Sequence, residues 1–281
     1  MAVNNEKSKP GLGAHQSRWL MAIVLLVPTL FSILSDQYIF FFILMLLAGG
    51  ATWWEFSRNL LGGERTGLLC LAMAGWGAVA TGSYFLGPVG QSYGLVVALA
   101  LGAAYTMWGL GREDGQVLVN LMSRYSFGHL YLSFLMSFFL LLKKTGPEGG
   151  KWLVYLLVVT IAADTGAYYA GNKFKGAKLW PKISPNKTRS GLAGGVVASM
   201  LLSAVCATFI EAPAAYLVPM GFFLGLWGAV GDLFESTIKR AINIKDSSTL
   251  LMGHGGFWDR LDSLLFNVVP VYILADYIAA P

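Results

Sequence analysis

Apolar runs recur along the chain, and polar or charged connections separate them. Nine runs can be delimited, at 19–35, 38–54, 67–87, 94–110, 127–142, 152–171, 192–210, 216–235 and 264–279. A helix needs about 20 mainly apolar residues to cross the hydrocarbon core of a bilayer, and the runs are close to that length. The pattern therefore predicts an all-α, polytopic integral membrane protein with about nine transmembrane helices.

The connections divide this predicted bundle into three regions. Residues 1–18 form a polar cytosolic tail without the short apolar core and cleavage site of a signal peptide. Residues 19–150 form an N-terminal transmembrane region with short loops, and residues 151–281 form a C-terminal transmembrane region. We expect catalysis in the C-terminal region, because its two long loops, about 172–191 and 236–263, hold most of that region's charged residues.

Composition supports the membrane assignment. The chain is 56% hydrophobic and only 12% charged, whereas a soluble domain carries about 25% charged residues. The 34 glycines suit close packing of helices in a bilayer. Cys70 and Cys206 both lie inside apolar runs, so no disulfide framework or zinc motif is expected.

The positions of Lys and Arg predict the orientation in the membrane. If the N-terminus is cytosolic, 17 of the 20 basic residues fall in cytosolic segments, and only Lys143, Lys144 and Lys151 fall outside. Cytosolic loops of membrane proteins are enriched in Lys and Arg, so both long loops are predicted to be cytosolic. The compact loops and the lack of a targeting segment favour a bacterial inner membrane.

The first long loop, GNKFKGAKLWPKISPNKTRSG, contains six basic residues and no acidic one. One interpretation is a topology signal that is also attracted to anionic lipid. The other is a pocket for a polyphosphate and an anionic lipid headgroup. Pro185 and Asn186 favour a tight bend, which would present Ser184, Lys187 and Thr188 together.

Two carboxylates lie within or near the ends of predicted spans. Asp164 interrupts an apolar run, where a charge costs about 2.5–3.5 kcal/mol on insertion scales, unless the helix end lets it reach water. Asp232 lies near the end of the eighth run, and Ser236 and Lys239 would share its helix face. By contrast, we interpret TWWEF at 52–56 as an interfacial anchor and its Glu55 as an interfacial carboxylate.

The second long loop and the helix end before it read GDLFESTIKRAINIKDSSTLLMGHGGFWDRLD. Carboxylates suit hard divalent cations, and Lys and Arg suit phosphates. Glycines on both sides of His254 allow a backbone to approach an anion closely. Asp259 and Asp262, three residues apart, would share one helix face. These residue types together predict a site for a metal and a polyphosphate.

Two spaced patterns in this stretch, SxxKRxxxxKD and HGGxxDRxD, are more specific than any single acid or base. Their residues are Ser236, Lys239, Arg240, Lys245, Asp246, His254, Gly255, Gly256, Asp259, Arg260 and Asp262. With the earlier ADTGAY and SPNKT segments, they make residues 160–265 resemble the phosphatidate cytidylyltransferase, or CDP-diacylglycerol synthase, family.

This resemblance implies a helical membrane enzyme with a cytosol-facing cavity open to lipid. Such an enzyme transfers the cytidylyl group of CTP to phosphatidic acid, releases pyrophosphate and requires Mg²⁺. The expected partners are CTP, phosphatidic acid and the lipid bilayer, without nucleic acid; a homodimer is left open. We expect Mg²⁺ ligands among Asp232, Asp246 and Asp259, with further candidates at Asp164 and Asp262.

The resemblance also suggests roles for the remaining residues. Phosphate-binding and catalytic candidates are Lys187, Lys239, Arg240 and Arg260. His254 is either a donor to phosphate or an organiser of its loop. Further substrate-binding candidates are Ser184, Thr188, Ser236, Lys245, Gly255 and Gly256.

Three positions depart from the family pattern. Met252 replaces a Pro before GHGG, and Arg189 and Ser190 replace an aromatic residue and a Glu after SPNKT. The departures leave open a divergent or inactive paralogue. A transporter for an anionic lipid or metabolite is a further alternative, although it does not account for HGGxxDRxD. The aspartate motif of CDP-alcohol phosphotransferases is absent.

Overall fold

A computed structural model describes residues 14–63, 65–210, 212–251 and 255–279, with side chains from residue 23 onward. Its helices are α1 Ala14–Leu34, α2 Tyr38–Leu60, α3 Thr66–Gly109, α4 Gly115–Gly128, α5 Phe134–Lys144, α6 Gly149–Phe174, α7 Arg189–Ile210, α8 Ala214–Ala241 and α9 Asp262–Ala279. The shorter elements are a π-helical turn His129–Ser133, strands β1 Lys178–Trp180 and β2 Ser184–Thr188, and a 3-10 turn Trp258–Arg260. The predicted helical architecture is confirmed.

Within the described residues, seven helices are long and apolar enough to cross a membrane. They are α2, α3, the continuous helix formed by α4 and α5, and α6 to α9. The apolar part of α1 with described side chains, Ile23–Leu34, is shorter than a full span. The chain thus has the build of a polytopic membrane protein.

Helix α3 reverses direction in the middle. At Gly87 the backbone has φ of +65°, a conformation open to glycine, and Pro88 follows. Gly82 and Gly90 then lie so close that a Cβ on either would overlap the backbone of the other. A straight helix of 44 residues would extend about 66 Å. Instead, Arg65 before α3 and Glu113 after it form an ion pair of 2.7 Å, so both ends lie together.

The two ends of the bundle can be identified from these contacts. The reversal of α3 lies opposite Arg65 and Glu113. At the reversal end, the ammonium of Lys144 donates to the carbonyl of Tyr84 at 2.9 Å, and that of Lys143 donates to the carbonyl of Ser35 at 3.1 Å. Lys143 and Lys144, predicted to lie apart from most basic residues, thus lie at the end opposite Arg65.

The N-terminal helices α2 to α5 pack around a polar connection inside their core. The indole of Trp53 donates to the Ser133 hydroxyl at 2.9 Å, and the amide of Gln91 donates to the Phe134 carbonyl at 3.2 Å. These bonds give hydrogen-bond donors to the Ser133 hydroxyl and the Phe134 carbonyl at the π-helical turn. Trp53 is fully buried, so the interpretation of TWWEF as an interfacial anchor is wrong for this residue.

The C-terminal helices α6 to α9 pack through small residues. A Cβ on Gly166 of α6 would meet the Gly194 carbonyl of α7 at 2.7 Å. On the other side of α7, the Ser199 hydroxyl donates to the Gly221 carbonyl of α8 at 2.7 Å. Small residues let membrane helices approach this closely, which agrees with the glycine content of the sequence.

A two-stranded antiparallel hairpin links α6 to α7, an exception to the all-α prediction. Lys178 pairs with Thr188 and Trp180 with Ser184, and the turn lies at 181–183. The tight turn therefore precedes Pro185 and Asn186, while the register shift between the two pairs makes β2 irregular across 185–187, where the sequence predicted a bend. Proline is tolerated there because each strand of a two-stranded sheet has an edge that needs no backbone donor.

Candidate active site

A cavity of about 460 Å³ lies between α6, α7, α8, the start of α9 and strand β2. Its volume is in the range of small-molecule binding sites. Glycines of α7 and α8 form much of its wall, which leaves room for a ligand. Its polar and charged lining residues are Thr160, Asp164, Asn172, Asn186, Lys187, Thr188, Asp232, Ser263 and Asn267.

Charges of both signs meet in this cavity. Asp164 comes from α6, Asp232 from α8, and Lys187 from β2. Lys187 and Asp232 form an ion pair whose side chains retain 26% and 29% of their exposure. The hydroxyl of Ser236, one turn along α8, donates to Asp232 at 3.3 Å. The structure thus brings together Asp164, Lys187 and Asp232, three of the predicted site residues.

Strand β2 is attached to the start of α7 by hydroxyl groups. The amide of Gly191 donates to the Thr188 hydroxyl at 3.0 Å, and the Ser190 hydroxyl lies 3.1 Å from that of Thr188. Ser190 also accepts from the Gly176 amide at 3.1 Å. The departure at Ser190 therefore has a local role, because its hydroxyl holds the hairpin beside the cavity.

Asn267 of α9 is a cavity residue that the sequence prediction missed. Its side chain is buried, and its amide nitrogen donates to the Thr160 hydroxyl at 3.1 Å. Its amide oxygen has no hydrogen-bond partner among the described residues. Buried polar atoms are usually paired, so this oxygen offers an acceptor at the cavity wall. An Asn within an apolar run was the available signal.

A second cluster surrounds Asp259, which is not among the lining residues of the cavity. Its carboxylate accepts from the Lys239 ammonium at 2.8 Å, the Gly256 amide at 2.8 Å and the Ser247 amide at 2.9 Å. Burial by itself raises the pKa of Asp259, but hydrogen bonds, first from Gly256 and then from Lys239, outweigh burial and keep that pKa below its usual value.

Lys239 joins this cluster to α8. Besides Asp259, its ammonium contacts Glu235 at 2.7 Å, and the Glu235 side chain is almost fully buried. A buried carboxylate is costly unless it is paired or hydrogen-bonded, and Lys239 supplies a cation to Glu235. Lys239 therefore lies between two carboxylates, two turns along α8 from Asp232.

Glu55 of α2 lies beside the Asp259 cluster and is fully buried. Its carboxylate accepts from the Ser248 hydroxyl at 2.7 Å, the Ser247 hydroxyl at 2.8 Å, and the amides of Phe257 and Trp258 at 2.9 Å. The interpretation of Glu55 as an interfacial carboxylate is therefore wrong. The criterion that selected Asp164, an acidic residue beside apolar sequence in a predicted helix, could also have selected Glu55.

The carboxylates of Asp259 and Glu55 lie so close to the backbone of the HGG motif that they leave no room for a side chain at Gly255 or Gly256. Gly255 has φ of +79°, and a Cβ there would lie 2.5 Å from a carboxylate oxygen of Asp259. A Cβ on Gly256 would overlap the Ser247 hydroxyl and both carboxylate oxygens of Glu55. The backbone is close to the protein's own carboxylates, and contact of Gly255 and Gly256 with substrate stays a prediction.

The remaining predicted residues lie around these two clusters. Arg240 is exposed and donates to the Ile244 carbonyl at 2.8 Å, which closes the end of α8. Lys245 and Asp246 are exposed in the loop that follows, and Arg260 is exposed next to Asp259. Asp262 begins α9, Ser184 begins β2, and His254 lies outside the described residues.

The predicted magnesium ligands are not gathered at one point. Asp232 lines the cavity, Asp259 is bound by the amides of Ser247 and Gly256, and Asp246 is exposed. Among the described residues there is no group of three or more His, Cys, Asp or Glu side chains placed to hold a metal ion. Local sequence spacing did not reveal this separation, because the loop turns between the three residues.

Membrane-length helices with a charged cavity near one end define a membrane protein suited to a polar, charged ligand. The chain belongs to the cytidylyltransferase family, whose model matches residues 16–278. The resemblance inferred from the motifs is confirmed.

The chain is also similar to bacterial proteins named phosphatidate cytidylyltransferase. Identity is 38% over 147 residues with that of Bacillus subtilis (52% of this chain, 55% of the relative). It is 40% over 135 residues with that of Staphylococcus saprophyticus (47% and 52%). It is 37% over 155 residues with that of Brucella suis (55% and 57%). The chain spans about half the length of these relatives.

Proposed function

We propose that this protein transfers the cytidylyl group of CTP to phosphatidic acid, which yields CDP-diacylglycerol and pyrophosphate. The observation that carries the proposal is the cavity in which Lys187 pairs with Asp232 and which Asp164 also lines. A cation beside carboxylates suits a triphosphate accompanied by a divalent ion. Family membership and the names of the similar proteins support the choice of substrates.

The reaction needs little covalent chemistry from the protein. A phosphate oxygen of phosphatidic acid attacks the α-phosphorus of CTP, and the bond from that phosphorus to the bridging oxygen of the β-phosphate breaks. Pyrophosphate leaves with the electron pair of that bond. The attacking phosphate is already ionised, so no general base is required. Positioning and charge neutralisation supply most of the catalysis.

Three basic residues are assigned to these tasks. Lys187 lies in the cavity and is the first candidate for the triphosphate. Lys239 and Arg260 lie near the start of α9 and are candidates for the lipid phosphate. Lys binds phosphate as a point charge and Arg binds it through a planar fork, so the two types are not interchangeable.

Magnesium is part of the proposal, with Asp164 and Asp232 as its protein ligands in the cavity. The fit rests on the donor set: carboxylate oxygens are suitable ligands, and the ammonium of Lys187 at Asp232 marks a position that favours positive charge. Asp262, next to the cavity residue Ser263, is a further candidate. When bound, Mg²⁺ would neutralise charge on the phosphate oxygens and on the leaving pyrophosphate.

We further propose nine spans with the cavity end in the cytosol, in a bacterial inner membrane. Counting the two arms of α3 separately and adding α1 to the seven long helices supports this number. Lys143 and Lys144 lie opposite Arg65, and this supports the predicted division of charge. The similar proteins are bacterial. A homodimer stays an expectation.

The proposal is tested by pyrophosphate release from detergent-purified protein. We expect release only when CTP, phosphatidic acid and Mg²⁺ are all present, and a loss of at least about 100-fold in Asp232→Asn. Asp276→Asn is a matched control, because Asp276 is exposed near the far end of α9. Release without phosphatidic acid, or none from folded protein, would contradict the proposal and favour another substrate or a transporter.

A further inference from the structure

Glu55 connects the two halves of the chain through a buried carboxylate. It lies on α2, yet the four hydrogen bonds described for its carboxylate come from residues 247–258, about 190 or more positions later. Two donors are hydroxyls and two are backbone amides. A carboxylate removed from water is costly unless its oxygens are paired, and here each oxygen accepts two bonds.

A second contact on α2 reinforces this connection. Asn59, four residues after Glu55 and hence on the same helix face, donates to the Ser247 carbonyl at 2.9 Å. Trp258 is also buried against α2, with its ring centroid 5.5 Å from that of Phe56. Helix α2 therefore holds the segment at Ser247 and again at Trp258.

The held segment leads directly to the candidate active site. The Ser247 hydroxyl lies 2.8 Å from Glu55 and 3.1 Å from Asp259, so one side chain joins the two carboxylates. Asp259 in turn binds Lys239 of α8. Asp259 and Arg260 follow Trp258, and α9, whose Ser263 lines the cavity, begins at Asp262.

We propose that Glu55 is a positioning residue for the transferase reaction. Its carboxylate fixes Ser247, Ser248, Phe257 and Trp258, and through them the places of Lys239, Asp259 and Arg260 relative to the cavity. Glu55 is not among the cavity-lining residues, so it acts through the segment and not on the substrate. This role rests on the proposed function. Gly256 fits the account, because a larger residue would displace the Glu55 carboxylate.

Glu55→Gln is the variant that tests this role. The side chain keeps its size, but one acceptor oxygen becomes an NH₂ group that faces donors of the segment. We expect kcat to fall about 10-fold to 100-fold, because small misplacements of binding groups have effects of this size. KM for CTP should change by less than about 3-fold, since the lining of the cavity is untouched.

Trypsin provides a readout that does not depend on activity. Lys245 and Arg260 flank the segment and are exposed, and Lys182 in the hairpin turn is an exposed reference. In Glu55→Gln, cleavage at Lys245 and Arg260 should become at least about 10-fold faster, with cleavage at Lys182 unchanged. Glu113→Gln is the matched control, because it removes an exposed acid at the same end of the bundle.

The outcomes separate this inference from the proposed function. If wild-type protein releases no pyrophosphate, the proposed function fails, and trypsin still decides whether Glu55 holds the segment. Unchanged kcat in Glu55→Gln, or equal acceleration of cleavage at Lys182, overturns the inference. Should Glu55→Gln not fold, Asn59→Ala removes the other contact with the segment, and the same two readouts must shift in the same direction.

Discussion

Lys187 and Asp232 form an ion pair across the cavity, from a β-strand to a transmembrane-length helix. The pair is partly accessible, so a ligand can reach it. Under the proposed function, Asp232 would help to hold Mg²⁺, and the Lys187 ammonium would then be available to a phosphate. This relationship links the basic hairpin to the acidic helices and is the basis of the first prediction.

Removal of the Lys187 charge should weaken substrate binding. We expect kcat/KM of Lys187→Gln to fall about 10-fold to 100-fold, because a charge-assisted bond to phosphate is worth about 1.5–3 kcal/mol. Steady-state kinetics with varied CTP and phosphatidic acid measure the change. Lys182→Gln serves as the control, since Lys182 is exposed in the turn of the same hairpin. Equal losses in both variants would argue against a specific role for Lys187.

Asp259 should make the stability of the protein depend on pH. Its folded-state pKa lies below the usual value of about 3.9, so the unfolded state binds more protons near that pH. The stabilisation is therefore complete above about pH 4 and is lost as pH falls through the folded-state pKa. Thermal unfolding in detergent should show a larger drop in Tm from about pH 5 to pH 3 for wild type than for Asp259→Asn.

The Asp259 carboxylate should also stabilise the folded protein at neutral pH. Asp259→Asn removes a negative charge beside Lys239 and places an NH₂ group near the Gly256 and Ser247 amides. We expect a loss of about 1–3 kcal/mol in the free energy of unfolding, the usual range for an unpaired buried polar group. Identical pH profiles and equal stability of the two proteins would contradict the structural role of this carboxylate.

Gly256→Ala tests the steric explanation of the HGG motif. The added Cβ would overlap Ser247 and Glu55, so we expect destabilisation of about 1–3 kcal/mol and increased tryptic cleavage after Lys245. Gly50→Ala is the matched control: its Cβ would meet no atom within 4 Å, and alanine favours a helix. A Gly256→Ala protein as stable as wild type would show that the segment accommodates a side chain.

Membrane topology can be tested with single cysteines. In a Cys70→Ala, Cys206→Ala background, Lys144→Cys and Lys182→Cys should react with a membrane-impermeant thiol reagent from opposite sides of the membrane. The prediction follows from the reversal of α3 at the Lys144 end and the position of the hairpin at the other. Labelling of both cysteines from one side of sealed vesicles would exclude the nine-span proposal.

Sequence patterns predicted much of this protein because the bilayer imposes simple rules. Apolar run lengths located the helices, and the two runs at 67–87 and 94–110 anticipated the arms of α3. The motif residues indicated the family, which the family match confirms. Asp164 was selected because a charge in an apolar run is costly, and the structure places it in the cavity.

The same sequence patterns could not predict contacts between residues far apart in the chain. Glu55 and its partners are about 190 or more residues apart, and local periodicity carries no information on such a pairing. The family resemblance grouped Asp259 with Asp232 as expected magnesium ligands, whereas protein donors surround Asp259. The turn signal at Pro185 corresponds to an irregularity within β2, whereas the turn of the hairpin lies at 181–183.

The central claim is that the α-phosphorus of CTP moves to the lipid phosphate. The most direct measurement uses CTP radiolabelled at the α- or the γ-phosphorus, with phosphatidic acid, Mg²⁺ and purified protein, followed by separation of lipid from water-soluble products. The account predicts that α-label appears in the lipid fraction and γ-label only in pyrophosphate. Label from the γ-position in lipid, or no lipid label from either nucleotide with folded protein, would contradict it.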